Sequence, residues 1–161
     1  MPPRNDEFID ALTSWMENNG AVIKNMRISE FSNYDYGLKA IGDIKENDLL
    51  VVVPRKLMLT TEMANNSILG NLIKTDPLLQ SMPNVTLAVF LLIERFNETS
   101  FWKPYIFMLP RVYQTVMWFT SDELSQLKGS PTFEPALKQC RNIARQYAYF
   151  YSLFQVRLKI L

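Results

Sequence analysis

A side chain that transfers protons or attacks an electrophile must titrate near the working pH or lean on a neighbour that does. This chain of 161 residues has no histidine and one cysteine, Cys140. Ser-His-Asp and Cys-His nucleophile pairs are therefore excluded, as are zinc sites built from Cys and His. An all-carboxylate Mg²⁺ or Ca²⁺ site remains formally open, but the sixteen Asp and Glu residues are scattered among turns and polar helix faces. No metal site and no paired-carboxylate site is expected. Two short runs stand out instead. In Tyr34-Asp35-Tyr36-Gly37-Leu38 a glycine lies just inside a strand-like run. That fits close approach by a ligand or another chain segment, although for one glycine a β-bulge or tight turn is the commoner reason. Arg145-Gln146 could aim polar groups into a groove, although an exposed polar helix face is the commoner reason for such a pair.

The elements that must position these residues follow from periodicity. Asn5 and Asp6 can cap a helix with Phe8, Leu12 and Trp15 at i, i+4 and i+7, stopped by Asn19 and Gly20. From Ala21 to Phe31 the period changes to two, with Met26 and Ile28 opposite Arg27 and Ser29. Tyr34 to Ile41 and Leu49 to Val53 are further strand-like runs, so one small β-sheet is expected across these segments. After Pro54 helical spacing returns, with N-caps offered at Thr60 and Thr61 and interruptions at Gly70 and Pro77. Asn84 precedes Val85, Leu87, Ala88, Leu91, Leu92 and Arg95, which reads as a buried helix with an Asn cap. Thr120 and Glu123 have capping-box spacing before Leu124, Leu127 and Gly129. From about Thr132 a stripe of Phe133, Leu137, Cys140, Ala144, Tyr147, Tyr151 and Phe154 suits core packing. Phe101-Trp102, Tyr105 to Phe107 and Trp118-Phe119 likewise read as core. The pattern as a whole is α+β.

Composition narrows the partners. With 48% apolar and 20% charged residues the chain can bury a sizeable core, and seventeen basic against sixteen acidic residues give a net charge of +1. That balance argues against nucleic acid as a partner. The longest apolar stretch, Leu87 to Ile93, falls far short of the roughly 20 residues that a membrane span needs, so no membrane association is expected. The N-terminal MPPRNDEF lacks a secretory pattern, and a single cysteine cannot close an internal disulfide. These features point to a reducing compartment, the cytoplasm and also the nucleus, where the sequons at Asn65, Asn84 and Asn97 are fortuitous.

Several ordered runs then identify a family. Tyr36-Gly37-Leu38-Lys39-Ala40, Asp43-Ile44-Lys45, Val53-Pro54-Arg55-Lys56-Leu57 and Asn66-Ser67-Ile68-Leu69-Gly70 resemble the SET-domain methyltransferases of the Rubisco-methyltransferase type. Ser100 to Ile106, Leu109-Pro110 and Ala144 to Tyr151 are similar to the branch of that family directed at a histidine of actin. The resemblance covers about Phe8 to Gln155. It implies an incomplete SET fold with an N-terminal helix over 1–20, the first part of the SET β-domain over 21–58 and an all-helical SET insertion over 59–161, divergent after about 155.

The resemblance also implies roles. Tyr34, Asp35 and Tyr36, with Arg4, fall where S-adenosyl-L-methionine is bound, the match at Arg4 being one residue out of register. Asn84, Arg145 and Gln146 fall where an actin peptide is held, their amides and guanidinium suited to peptide carbonyls. The family pattern continues with a second SET half, bearing an Asn-His segment and a methyl-transfer tyrosine, that is not found here. No catalytic residue is therefore expected in this chain, cofactor binding is expected to be weak or absent, and uncovered apolar surface is expected to favour self-association. A lysine-directed enzyme of the same family and a non-catalytic interaction fragment are the alternatives.

Overall fold

The structure, a computed structural model, describes residues 6–32 and 34–157. It divides into two compact units, Met1–Leu109 and Pro110–Leu161. In the first, helix α1 (Asp6–Asn18) ends as the sequence predicts. Gly20 adopts φ +85°, and the amides of Gly20 and Ala21 donate to the carbonyls of Glu17 and Met16, each at 2.9 Å. Only a residue without a Cβ takes that left-handed turn at no steric cost. Asn5, the other expected cap, lies outside the described residues.

The strands are β1 (Val22–Ile23), β2 (Met26–Phe31), β3 (Asp35–Ala40) and β4 (Val51–Val52). They form two antiparallel ribbons, β1 with β4 and β2 with β3, rather than one sheet. The reason is local: Asn25, at φ +54°, turns the chain between β1 and β2. Its side-chain amide donates to the Asp43 carbonyl at 3.0 Å, and its own carbonyl accepts from the Ile41 amide at 2.9 Å.

The helical part of this unit holds most of the core. After a 3₁₀ turn at Arg55–Leu57 come α2 (Thr61–Asn65), α3 (Gly70–Thr75), α4 (Pro77–Ser81), α5 (Pro83–Phe96) and α6 (Lys103–Met108). Thr60 caps α2 through Met63 N–H, and Asp76, although buried, caps α4 through Leu79 N–H at 2.9 Å. Gly70 opens a helix instead of interrupting one. The expected Asn84 cap is corrected too. Met82 holds the N-cap position of α5 and Pro83 follows inside the helix, because a proline's fixed φ and missing N–H suit the first turn. Thr86, Val89 and Phe90 form the buried face, and Leu92 of the expected stripe is 53% exposed. Phe90 meets Trp102 edge-on at 5.6 Å, while Phe8 and Trp15 of α1 pack on Phe107 and Phe101.

In the second unit α7 (Ser121–Gln126) carries the complete capping box, and Gly129 at φ +87° follows it. Helix α8 runs Phe133–Arg157, and Cys140 Sγ lies 3.9 Å from Met117 Sδ. The expected core stripe along α8 is not the one observed. Ala136 and Phe150 are the buried residues, whereas Ala144 is exposed and Tyr147 and Tyr151 stack on each other with their rings largely in water. Spacing of three and four fixes which residues share a face but not whether anything covers it. The aromatic runs are similarly mixed, Ile106 being buried while Phe101, Tyr105 and Trp118 are exposed.

Candidate functional site

The β2–β3 hairpin builds the surface that the Tyr34 run singles out. Its register pairs Phe31 with Asp35, Glu30 with Tyr36 and Ser29 with Gly37, and the Tyr34 amide donates to the Phe31 carbonyl at 3.0 Å across the turn. Asp35 stands at φ +63°, a left-handed conformation that short polar side chains tolerate better than most. Gly37 lies in an unbroken ladder, so neither the bulge nor the tight turn explains it. A Cβ at position 37 would stand 3.2 Å from Cε2 of Phe31, whose ring lies over the glycine. The glycine thus admits a close approach, by a segment of its own hairpin. At the tip, the Tyr34 ring is 85% exposed, Asp35 is exposed and Tyr36 is half-buried.

Beside this hairpin, α1 and β2 line a cavity of about 640 Å³. Its charged rim joins Asp10 and Glu17 of α1 with Arg27, Glu30 and Lys39 of the ribbon, and Thr13 lies between the acidic pair along the helix. Mixed charge of this kind can receive an ammonium on one side and a carboxylate on the other. Tyr34, Asp35 and Tyr36 do not line it, although Phe31, the ladder partner of Asp35, does. Sequence reasoning missed the rim. The sequence held one signal, the i, i+7 spacing of Asp10 and Glu17; the facing of Arg27 and Lys39 across the ladder, a like-charge pair that disfavours the sheet unless something compensates it, is visible only in the folded register.

The remaining expected residues are spread over the two units. Arg4 lies outside the described residues. Asn84 is exposed in the first turn of α5, in the first unit. Arg145, exposed, and Gln146, half-buried, adjoin on α8 in the second. A titratable group clearly displaced lies elsewhere: the Glu123 carboxylate accepts from the Thr120 amide at 2.7 Å and hydroxyl at 2.9 Å, which hold it below its ordinary 4.5. Among the described residues no group of three or more His, Cys, Asp or Glu could hold a metal ion, and no helix is long and apolar enough to cross a membrane.

No family profile matches the chain. Individual proteins do. It is 43% identical over 152 residues to the actin-histidine N-methyltransferase of Gallus gallus, an alignment covering 94% of this chain and 26% of that protein. The proteins of the same name from Canis lupus familiaris and Homo sapiens are 44% and 43% identical over 94% of this chain. The chain spans about a quarter of the length of these curated relatives. Among solved structures, the SET domain of LSMT bound to lysine and AdoHcy superposes with a TM-score of 0.82 at 22% identity, covering 97% of this chain and 34% of that one. Rubisco LSMT bound to AdoMet gives 0.80, again at 22% identity, over 98% and 35%. The fold is accordingly the first part of a SET domain, α+β, with small ribbons followed by helices. Over almost its whole length, therefore, the chain has the fold of the first part of a SET domain and aligns with the N-terminal portion of proteins named actin-histidine N-methyltransferase.

Proposed function

We propose that this chain supplies one wall of the cofactor site and part of the peptide groove of an S-adenosylmethionine-dependent protein-histidine methyltransferase whose substrate is actin. The observation that carries the proposal is 43% identity over 94% of the chain to proteins of that name. The bound cofactor would supply an activated methyl group on a sulfonium sulfur. An imidazole nitrogen of the substrate donates its lone pair to the methyl carbon as the carbon–sulfur bond breaks, S-adenosylhomocysteine leaves, and the ring loses a proton. Such a displacement depends on alignment of donor and acceptor more than on a protein nucleophile, which suits a chain without histidine.

The chemistry of the hairpin tip fits the cofactor. An exposed phenol ring at Tyr34 offers a face to a purine, and the Asp35 carboxylate offers acceptors to ribose hydroxyls or an ammonium. In this reading Tyr34, Asp35, Tyr36 and Arg4 contact the cofactor, and Asn84, Arg145 and Gln146 hydrogen-bond peptide carbonyls. The 161 residues bind cofactor weakly and do not turn over by themselves, because they correspond to about a quarter of the relatives' length. The compartment is the cytoplasm, and also the nucleus.

The test is calorimetric titration of the chain with S-adenosylhomocysteine, joined to mass spectrometry of actin after incubation with S-adenosylmethionine and the purified chain. Weak binding without methylation is expected. Turnover would overturn the claim of inactivity, methyl on lysine alone would overturn the histidine assignment, and a wholly inert surface would leave the non-catalytic reading standing.

A further inference from the structure

The open edge of β4 carries an inference independent of methyl transfer. Leu49-Leu50-Val51-Val52-Val53 contains no charged residue, and all but Leu50 are exposed. Among the described residues β4 pairs with β1 alone. The Lys24 amide donates to the Leu50 carbonyl at 2.8 Å, and Val52 faces Val22 two residues along. Leu50 and Val52 therefore turn their backbone groups toward β1. The alternation of an antiparallel ladder turns those of Leu49, Val51 and Val53 the other way, toward the open edge. Uncharged aliphatic residues with unpaired backbone groups are a template for another strand.

We propose that this edge is an interface between two copies of the chain, paired antiparallel about a two-fold axis through Val51. In that register Val51 meets its own counterpart and Leu49 meets Val53, so the outward groups can form about six backbone hydrogen bonds. Charge at the strand ends selects the occupant and its direction. Glu46 and Asp48 precede the strand, Arg55 and Lys56 follow it, and all four are exposed; Arg55 is paired with Glu62 at 2.6 Å and Asp48 accepts from the Lys45 amide at 2.7 Å, while the register sets Glu46 opposite Lys56 of the other copy. Antiparallel pairing brings the acidic end of each copy beside the basic end of the other, twice per dimer; parallel pairing would set like charges together. A two-fold contact uses both open β4 edges, so assembly through it stops at two.

Size-exclusion chromatography with light scattering over a concentration series tests this. The expected result is a reversible, concentration-dependent species of twice the monomer mass. Val51→Pro removes the central outward N–H and should return the chain to monomer. Because that change could disturb β4 itself, Glu46→Lys and Lys56→Glu provide the second arm. Each alone should weaken dimerisation by about three- to tenfold, in keeping with exposed ion pairs counted twice, and the double variant should restore it. A monomer at every concentration, assembly beyond two copies, a dimer indifferent to Val51→Pro, or a double variant no better than the singles would overturn the proposal.

Discussion

The backbone carbonyl oxygen of Asn65 occupies the place where a Cβ on residue 70 would stand, so the α2–α3 corner closes only around Gly70. The glycine is buried, and its φ is not left-handed. Its role is space rather than conformational freedom. Gly70→Ala must push the α3 N-terminus off the Asn65 carbonyl, displacing the neighbouring Leu69 and Leu72 from the core. The expected cost is about 2–3 kcal/mol, the scale of overpacking against backbone, read as a lowered urea midpoint with unchanged slope. A midpoint within error of the parent would show that the corner can open freely.

Asn84 and Asp76 look alike in the sequence, each a short polar residue at the head of a helix, and they should behave differently. Asp76 accepts from Leu79 N–H in a buried setting, so Asp76→Ala should cost about 1–2 kcal/mol. Asn84 is exposed and is not the cap of α5, so Asn84→Ala should change stability by less than about 0.5 kcal/mol. Parallel denaturant melts decide. Equal losses at the two positions would contradict the capping assignment.

The α7 cap should respond to acid with a defined sign. Glu123 titrates below its ordinary 4.5 because the Thr120 amide and hydroxyl donate to its charged form. A depressed native value means that the cap stabilises the helix above 4.5 and loses that contribution as pH falls through the native value. The Thr120 amide should therefore become less protected against hydrogen exchange on acidification, after correction for the intrinsic rate, whereas Glu123→Gln should abolish that dependence. A flat profile in the parent chain would contradict the assignment.

Protection should also divide the first unit. Two-stranded ribbons are marginal in water, and among the described residues β2 and β3 pair only with each other. Val89 and Phe90, inside the helical core, should exchange only through larger openings. Ribbon amides from Met26 to Phe31 are expected to exchange at least about tenfold faster than those of Val89 and Phe90. Uniform protection across both would show that the ribbons share the stability of the core.

Tyr34 offers the cleanest test of the hairpin tip, since an 85% exposed ring contributes little to folding. Tyr34→Ala should leave stability within about 0.5 kcal/mol. It should weaken S-adenosylhomocysteine binding by about fivefold or more, as loss of an aromatic face against a base does. An unchanged affinity would remove Tyr34 from the site.

What the sequence determined by itself was local. The Thr120–Glu123 box, the Gly20 stop after α1 and the extended run of β2 each rest on groups a few residues apart, whose hydrogen bonds and dihedral preferences are nearly complete without the rest of the chain. The ordered runs around Tyr36 and Arg145 likewise carried the resemblance. Even local rules can compete, as at α5, where Pro83 fixed the helix start and displaced the Asn84 cap. The tertiary structure alone decided which face of α5 is buried, that Phe31 covers Gly37, and that Arg27 and Lys39 share the rim of a cavity with Asp10 and Glu17. It also left Tyr147 and Tyr151 in water on a stripe that the sequence marks as core. The physical reason is common to these cases: periodicity states which side chains travel together, but burial depends on whether a distant segment arrives to exclude water, and spacing along one helix or strand holds no record of that arrival.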